Sequence, residues 1–266
     1  MQFLRDHNLG RESHVGKNVT VIGGGNSAID AARTAIRLGA PSVTVVYRRT
    51  RDQMPAYAEE VAEAEREGVR ILFLLGPTEV LVEQGRVAGL RCVPMALQGF
   101  DRSGRRRAVP SDEPAFVIPT DHVITAIGQK LDASALHTDL AMSRDGYVQV
   151  DPRTGETSFP WLFGGGDVAT GPASVVEAVR GGERAAVAMD RLMSGAEHAF
   201  WRVHQKVDTF FDPDADPSTA PRTRLRTLPA EKRRGRFDEV ELPWSEAEAR
   251  REAGRCLRCD YRENCQ

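Results

Sequence analysis

Residues Gly23-Gly24-Gly25-Asn26-Ser27-Ala28 have the spacing G-x-G-x-x-A. Glycines at the first and third of those positions let a backbone turn tightly and approach a pyrophosphate, which the N–H groups and dipole of a following helix then hold. Gly23, Gly25, Asn26 and Ser27 are the candidate phosphate contacts. The next apolar run ends at Tyr47-Arg48-Arg49, where a site for a free ribose 2′-hydroxyl would carry Asp or Glu. No acid follows until Asp52. Two planar guanidiniums suit a 2′-phosphate instead, with Arg51 adding charge, so NADP(H) is expected over NAD(H). The competing readings are a tight strand-to-helix turn without a ligand and two ordinary surface arginines.

Two other clusters could do chemistry. Gly164-Gly165-Gly166-Asp167 is a second glycine turn with an acid at its tip, suited to sugar or ribityl hydroxyls; the alternative is a plain turn with a helix cap. Cys256, Cys259 and Cys265 form C-x2-C-x5-C. Thiolates so spaced ligate an iron–sulfur cluster or zinc, though three are one short of the usual four and Cys92 lies far off. The alternative is reduced, unligated cysteines on a tail. The six histidines show no metal-ligand spacing, and no Ser–His–Asp or paired-carboxylate arrangement can be argued, so no catalytic side chain is assigned.

These residues need elements to position them. Asn18 to Ile22 is a β-branched run of the kind buried on both faces of a parallel sheet. Ser27 to Leu38 is alanine-rich with helical period and stops at Gly39; Ser42 to Tyr47 is a second buried strand. Strand, glycine turn, helix and strand make a βαβ unit, whose right-handed crossover makes its strands parallel. A helix is expected over 58–66, a strand over 69–75, and a hairpin from Thr78 to Leu97 turning at Gln84-Gly85. Residues 99–114, with Arg105-Arg106-Arg107, read as a solvated loop, and Asp121 to Ile127 as a further strand ending at Gly128. A short strand is expected near 146–150 and a helix over 173–192. Beyond Gly195 apolar clusters thin out, leaving an extended arm and one polar helix near 245–255 that Ser245 and Glu248 start as a capping box. With so little apolar material, residues 196–255 are expected to be mobile without metal, ordering by packing back on the part that holds the second glycine turn or on a partner.

Composition narrows the class. A chain of 266 residues with 41% hydrophobic content can bury a core and suits two compact parts. A net charge of −2 gives no electrostatic reason for a nucleic-acid partner. No apolar run reaches membrane-spanning length, and the first ten residues lack a signal-peptide core. A soluble cytoplasmic protein is the expectation.

The run from Gly16 to Asp30, then Val46-Tyr47-Arg48-Arg49 and Met54-Pro55-Ala56, resembles the small (beta) subunit of NADPH-dependent glutamate synthase and related flavin subunits of formate dehydrogenase- and hydrogenase-linked complexes. Thr125-Ala-Ile-Gly-Gln129, Phe163-Gly-Gly-Gly-Asp167 and Ser174-Val-Val-Glu-Ala178 extend the resemblance over roughly residues 1–195. It implies an α/β fold: a Rossmann-like NADP-binding domain plus the C-terminal half of an FAD-binding domain, pyridine nucleotide-disulfide oxidoreductase-like, with an extended C-terminal tail. The implied division is 1–13 as a hinge remnant, 14–118 as the NADP-binding domain, 119–195 as the flavin part and 196–266 as the tail. It further implies that Arg48 and Arg49 take the 2′-phosphate, that Gly128, Gly166, Asp167 and Ser174 lie at FAD, and that the cysteines open a cluster site. The implied activity passes electrons between NADP(H) and a larger redox subunit or iron–sulfur protein through FAD. An earlier glycine motif for the FAD diphosphate is missing from this sequence, so a fragment, or a second polypeptide supplying that half, is expected. The rival expectation is a nucleotide-binding docking module without turnover of its own.

Overall fold

The computed structural model describes residues 2–11, 14–101, 104–136, 138–196, 198 and 220–255. They fall into two compact units, Met1–Ile127 with Ala215–Leu257, and Gly128–Asp214 with Arg258–Gln266.

The first unit opens with α1 (Gln2–Asn8). β1 (Asn18–Ile22), α2 (Asn26–Arg37), β2 (Ser42–Tyr47), α3 (Ala58–Arg66) and β3 (Arg70–Phe73) follow. β1 pairs in parallel with β2, and β2 with β3. The buried face of α2 is Ala28, Ile29, Ala31, Ala32, Ala35 and Ile36, the spacing that puts an apolar stripe along one side of a helix. It packs with Val61 and Ala64 of α3 against Val19, Val21, Val43 and Val45. Ile29 and those four valines are at most 1% exposed, so each stabilises the fold by about 1.5–3 kcal/mol.

The opposite face of the sheet carries Ile22, Val46 and Leu72. It is covered by antiparallel strands β4 (Leu75–Glu83), β5 (Arg86–Phe100), β6 (Arg106–Pro110) and β7 (Phe116–Pro119), through Leu75, Leu90, Cys92 and Ile118. β5 pairs with β4, β6 and β7, and its turn from β4 sits at Gln84-Gly85, both with positive φ. The segment read as a polar loop is therefore a second hairpin. Ladder bonds between β5 and β6 need no apolar side chains, and its largely exposed residues give no hydrophobic alternation to read. β8 (His122–Thr125) returns parallel to β1, giving the order β3-β2-β1-β8. This strand thus belongs to the glycine-turn sheet, not to the segment that follows it.

In the second unit the backbone is mostly irregular, with isolated bridges Met142–Val148 and Glu156–Phe163. α4 (Asp167–Thr170) and α5 (Val175–Ser194) follow the second glycine turn. The buried apolar side chains among its described residues are Leu140, Val148 and Ala185, while α5 exposes Val175, Val176, Val179 and Met193.

The tail completes the first unit. β9 (Arg226–Thr227) and β10 (Glu241–Leu242) pair antiparallel, and α6 (Glu246–Ala253) starts with the expected Ser245–Glu248 capping box. Between them Arg233, 3% exposed, donates from Nη1 to Glu63 and, at 3.0 Å, to Glu67 of the α3 terminus; its Nε donates to the Leu228 carbonyl at 2.6 Å. Glu67, 1% exposed, also accepts from Arg33 at 2.9 Å and Arg37 at 2.8 Å on α2. Arg234 donates to the Ala40 carbonyl at 3.1 Å, and the Phe237 ring lies tilted against His7 with centroids 4.3 Å apart. Over 220–255 the tail thus packs on α2 and α3 of the first unit and not on the flavin half that was the expected place. Buried ion pairs to α2 and α3 supply the order that apolar burial does not.

Candidate nucleotide-binding site

β1 runs into three glycines whose needs differ. Gly23 has φ +144°, its N–H donates to the Val46 carbonyl at 3.1 Å, and a Cβ there would sit 2.3 Å from the Ala126 carbonyl oxygen. A Cβ on Gly24 would lie 2.4 Å from the Tyr47 ring. The fold itself therefore demands both glycines. Gly25 is extended (φ −91°, ψ 175°), a conformation any residue adopts, and the nearest atom to its would-be Cβ is Pro55 Cγ at 3.9 Å. No neighbouring protein group requires a glycine at this position. The open space in front of it fits close approach of a ligand backbone.

α2 starts here without a side-chain cap. Ala28 and Ile29 both donate to the Gly25 carbonyl, and Asn26 and Ser27 precede any intrahelical acceptor. The Asn26 side chain does not cap its own helix: its Oδ1 accepts from the Tyr57 amide at 3.0 Å and fixes the loop before α3. The buried Tyr47 hydroxyl donates to the Gln53 carbonyl at 2.7 Å, and the Ala56 amide to the Gly24 carbonyl at 3.1 Å, so that loop is tied to the glycine turn at several points. A helix terminus with uncapped N–H groups behind an open glycine fits an anionic diphosphate.

The two arginines after β2 part company. Arg48 is exposed and makes no hydrogen bond or ion pair among the described residues. Arg49 is 4% exposed, with Nη2 donating to Asp101 at 2.5 Å and Nε to the Arg106 carbonyl at 2.7 Å. Of the expected pair of phosphate contacts, Arg48 keeps its guanidinium free of protein partners among the described residues, while Arg49 is spent on the β5–β6 hairpin. Arg51 pairs with Glu65 and lies 5.8 Å over the Phe73 ring.

At the second glycine turn, Gly166 has φ +68°, and a Cβ on Gly165 would come within 2.8 Å of Gly181 on α5. These glycines allow the turn to cross α5 closely. Asp167 is exposed, with Oδ1 accepting from the Ala173 amide at 3.4 Å. Ser174 is committed to a capping box: its hydroxyl accepts from the Glu177 amide at 3.2 Å and donates to the Glu177 carboxylate at 2.9 Å. That motif is legible as Ser-x-x-Glu in the sequence. Gly128 is exposed with φ +98°, a backbone state that favours glycine. Exposed Asp167 beside the start of α5 fits a hydroxyl-rich cofactor; the Ser174 side chain is spent on the helix.

Cys256, Cys259 and Cys265 lie outside the described residues. Cys92 is buried on β5, and burial pushes its thiol up to about 11. Among the described residues no three His, Cys, Asp or Glu side chains gather as a metal site, and no helix is long and apolar enough to cross a membrane.

The chain is 44% identical to NADP(+)-dependent formate dehydrogenase subunit beta of Moorella thermoacetica, over 97% of this chain and 38% of that protein. It is 39% identical to the glutamate synthase [NADPH] small chain of Azospirillum brasilense, over 64% of this chain and 36% of the relative. It therefore spans under half the length of these relatives, which are the class that the sequence motifs resemble. Thioredoxin reductase of T. acidophilum superposes with a TM-score of 0.54 at 25% identity, covering 70% of this chain and 55% of that one. The family model described as pyridine nucleotide-disulphide oxidoreductase matches residues 1–182, and the chain belongs to that family.

Proposed function

We propose that this chain carries the NADP(H)-binding part, and part of the flavin-binding surface, of an oxidoreductase subunit that passes electrons between NADP(H) and an iron–sulfur partner through FAD. The observation that carries the reading is the uncapped start of α2 behind Gly25, with the unpaired Arg48 at the end of the adjacent strand. In this reading the N–H groups of Asn26 and Ser27 hold the nucleotide pyrophosphate. Arg48 pairs with the 2′-phosphate through its planar fork. The Asn26 side chain keeps the loop before α3 in register, shaping the wall of the site. Gly128, Gly166, Asp167 and the first turn of α5 are offered to FAD, Asp167 taking hydroxyls. FAD, when bound, supplies conversion of a two-electron hydride into single electrons. No side-chain nucleophile or acid is required; the residues orient and hold. Cys256, Cys259 and Cys265 are proposed as cluster ligands, completed by a fourth ligand from the remaining protein or a partner. Relatives described as beta subunits and small chains support a larger redox assembly.

The test is anaerobic addition of FAD and NADPH to the purified chain, followed through flavin absorbance. Bleaching by NADPH and not by buffer is expected. Persistent flavin absorbance, also when the partner subunits are present, would refute the electron-transfer role.

A further inference from the structure

The tip of the β5–β6 hairpin reaches the end of β2 and takes hold of Arg49. Its guanidinium, 5% exposed, donates from Nη2 to Asp101 Oδ2 at 2.5 Å and from Nε to the Arg106 carbonyl at 2.7 Å. Asp101 is itself built into the hairpin: Oδ1 accepts from the Arg105 amide at 3.1 Å, and its own amide donates to the Arg105 carbonyl at 2.7 Å. The Arg49 backbone is held from the same side, its carbonyl accepting from the Leu74 amide at 3.2 Å, while the Leu74 carbonyl accepts from Met95 of β5 at 2.8 Å. A buried guanidinium held at both Nε and Nη2 is not a reserve ligand. Swinging it toward solvent would break two hydrogen bonds, one of them charge-assisted.

The charges at this strand end can therefore be counted. Arg49 is neutralised by Asp101, and Arg51 by Glu65. Of the three arginines that follow β2, Arg48 is the one whose guanidinium has no acidic partner among the described residues. Arg49 follows Arg48 directly, their Cα atoms about 3.8 Å apart, so an Arg49 freed from Asp101 would put a second guanidinium charge at the strand end that carries Arg48.

Resting on the nucleotide reading above, we propose that Asp101 sets nucleotide selectivity in this chain. By pinning and neutralising Arg49, it leaves Arg48 as the single guanidinium that reads the 2′-phosphate, and so restrains the preference for a 2′-phosphorylated over a 2′-hydroxyl nucleotide. Asp101 is a positioning residue and does not touch the ligand. Arg49 belongs to the same device.

The experiment measures binding of 2′,5′-ADP and 5′-AMP, which differ in the 2′-phosphate, and takes the ratio of their Kd values at two salt concentrations. Asp101→Asn keeps an acceptor of the same shape but unmasks the Arg49 charge. The preference for 2′,5′-ADP should rise by about 3- to 10-fold and become steeper in salt. The double variant Arg49→Met with Asp101→Asn removes both charges together and should leave the ratio within about twofold of the wild type. An unchanged or lowered ratio in D101N, or a collapse of the ratio in the double variant, overturns the proposal, the latter by showing that Arg49 reads the phosphate directly. Arg48→Ala is the separate control. If it leaves the ratio untouched, the nucleotide reading has failed; if it abolishes the preference while D101N does nothing, only the role of Asp101 has failed. Circular dichroism confirms that each variant is folded, and the charge-neutral double variant decides the matter if D101N is not.

Discussion

Placing a methyl group on Gly25 should separate folding from binding. In Gly25→Ala the new Cβ meets no protein atom closer than 3.9 Å, at a backbone conformation that alanine adopts freely. Folding should therefore be unharmed or gain up to about 1 kcal/mol, because the unfolded chain loses freedom. The methyl group would stand where the pyrophosphate must approach the first turn of α2. Displacing one charge-assisted hydrogen bond costs about 1.5–3 kcal/mol, which is roughly 10- to 150-fold in Kd. Gly23→Ala is the contrasting variant. Its Cβ would collide with the Ala126 carbonyl oxygen at 2.3 Å from a backbone at φ +144°, so it should lose about 1–3 kcal/mol or more of stability. Urea unfolding and calorimetric titration with NADPH measure the two quantities on the same samples. A Gly25→Ala protein that binds NADPH as tightly as the wild type would refute the assignment of this turn to the pyrophosphate.

Other outcomes follow from the same structure. Arg233→Met should lower stability by about 1.5–3 kcal/mol, read by urea unfolding, because it removes the buried charge-assisted contacts, leaving Glu63 the exposed Arg66 and Glu67 its Arg33 and Arg37. Chelators should not release the segment 220–255 from the first unit, as limited proteolysis would show, since Arg233 and Arg234 hold it without metal. Burial pushes the Glu67 carboxyl up, but hydrogen bonds from Arg33, Arg37 and Arg233 outweigh it and hold the group below its ordinary range. Its folded-state value is thus depressed, so its stabilisation is present above the ordinary carboxylate range and is lost as pH falls below it. Glu67→Gln should correspondingly flatten the acid limb of stability against pH. Cys92, raised to about 11 and buried, should stay unalkylated in native protein at mildly alkaline pH and react on unfolding, read by peptide mass.

Local signals in the sequence were enough for the elements around the glycine turn. The apolar runs of β1 and β2, the alanine stripe of α2 and the Ser245–Glu248 cap each lie within a few residues, and the structure reproduces them. What was illegible is carried by distant polar contacts. Arg233 finds Glu67 across 166 residues, and nothing in the composition of the tail announces that partner. The β5–β6 hairpin is held by backbone bonds under exposed side chains, so its arginines read as a loop. Arg48 and Arg49 look equal in the sequence because both are arginine; the partner that separates them, Asp101, lies 52 residues away on the β5–β6 hairpin. At Ser174 the sequence also carries a local signal, Ser-x-x-Glu, and the structure uses that side chain to cap α5.

The central claim is that the uncapped start of α2 and the unpaired Arg48 make this chain a site for a 2′-phosphorylated dinucleotide. Calorimetric titration of the wild-type protein with NADPH and with NADH, in one buffer of fixed salt, tests it most directly. One charge-assisted contact of about 1.5–3 kcal/mol to the 2′-phosphate predicts NADPH binding at least about 10-fold tighter. Equal affinity for the two nucleotides, or no heat from either, would contradict it.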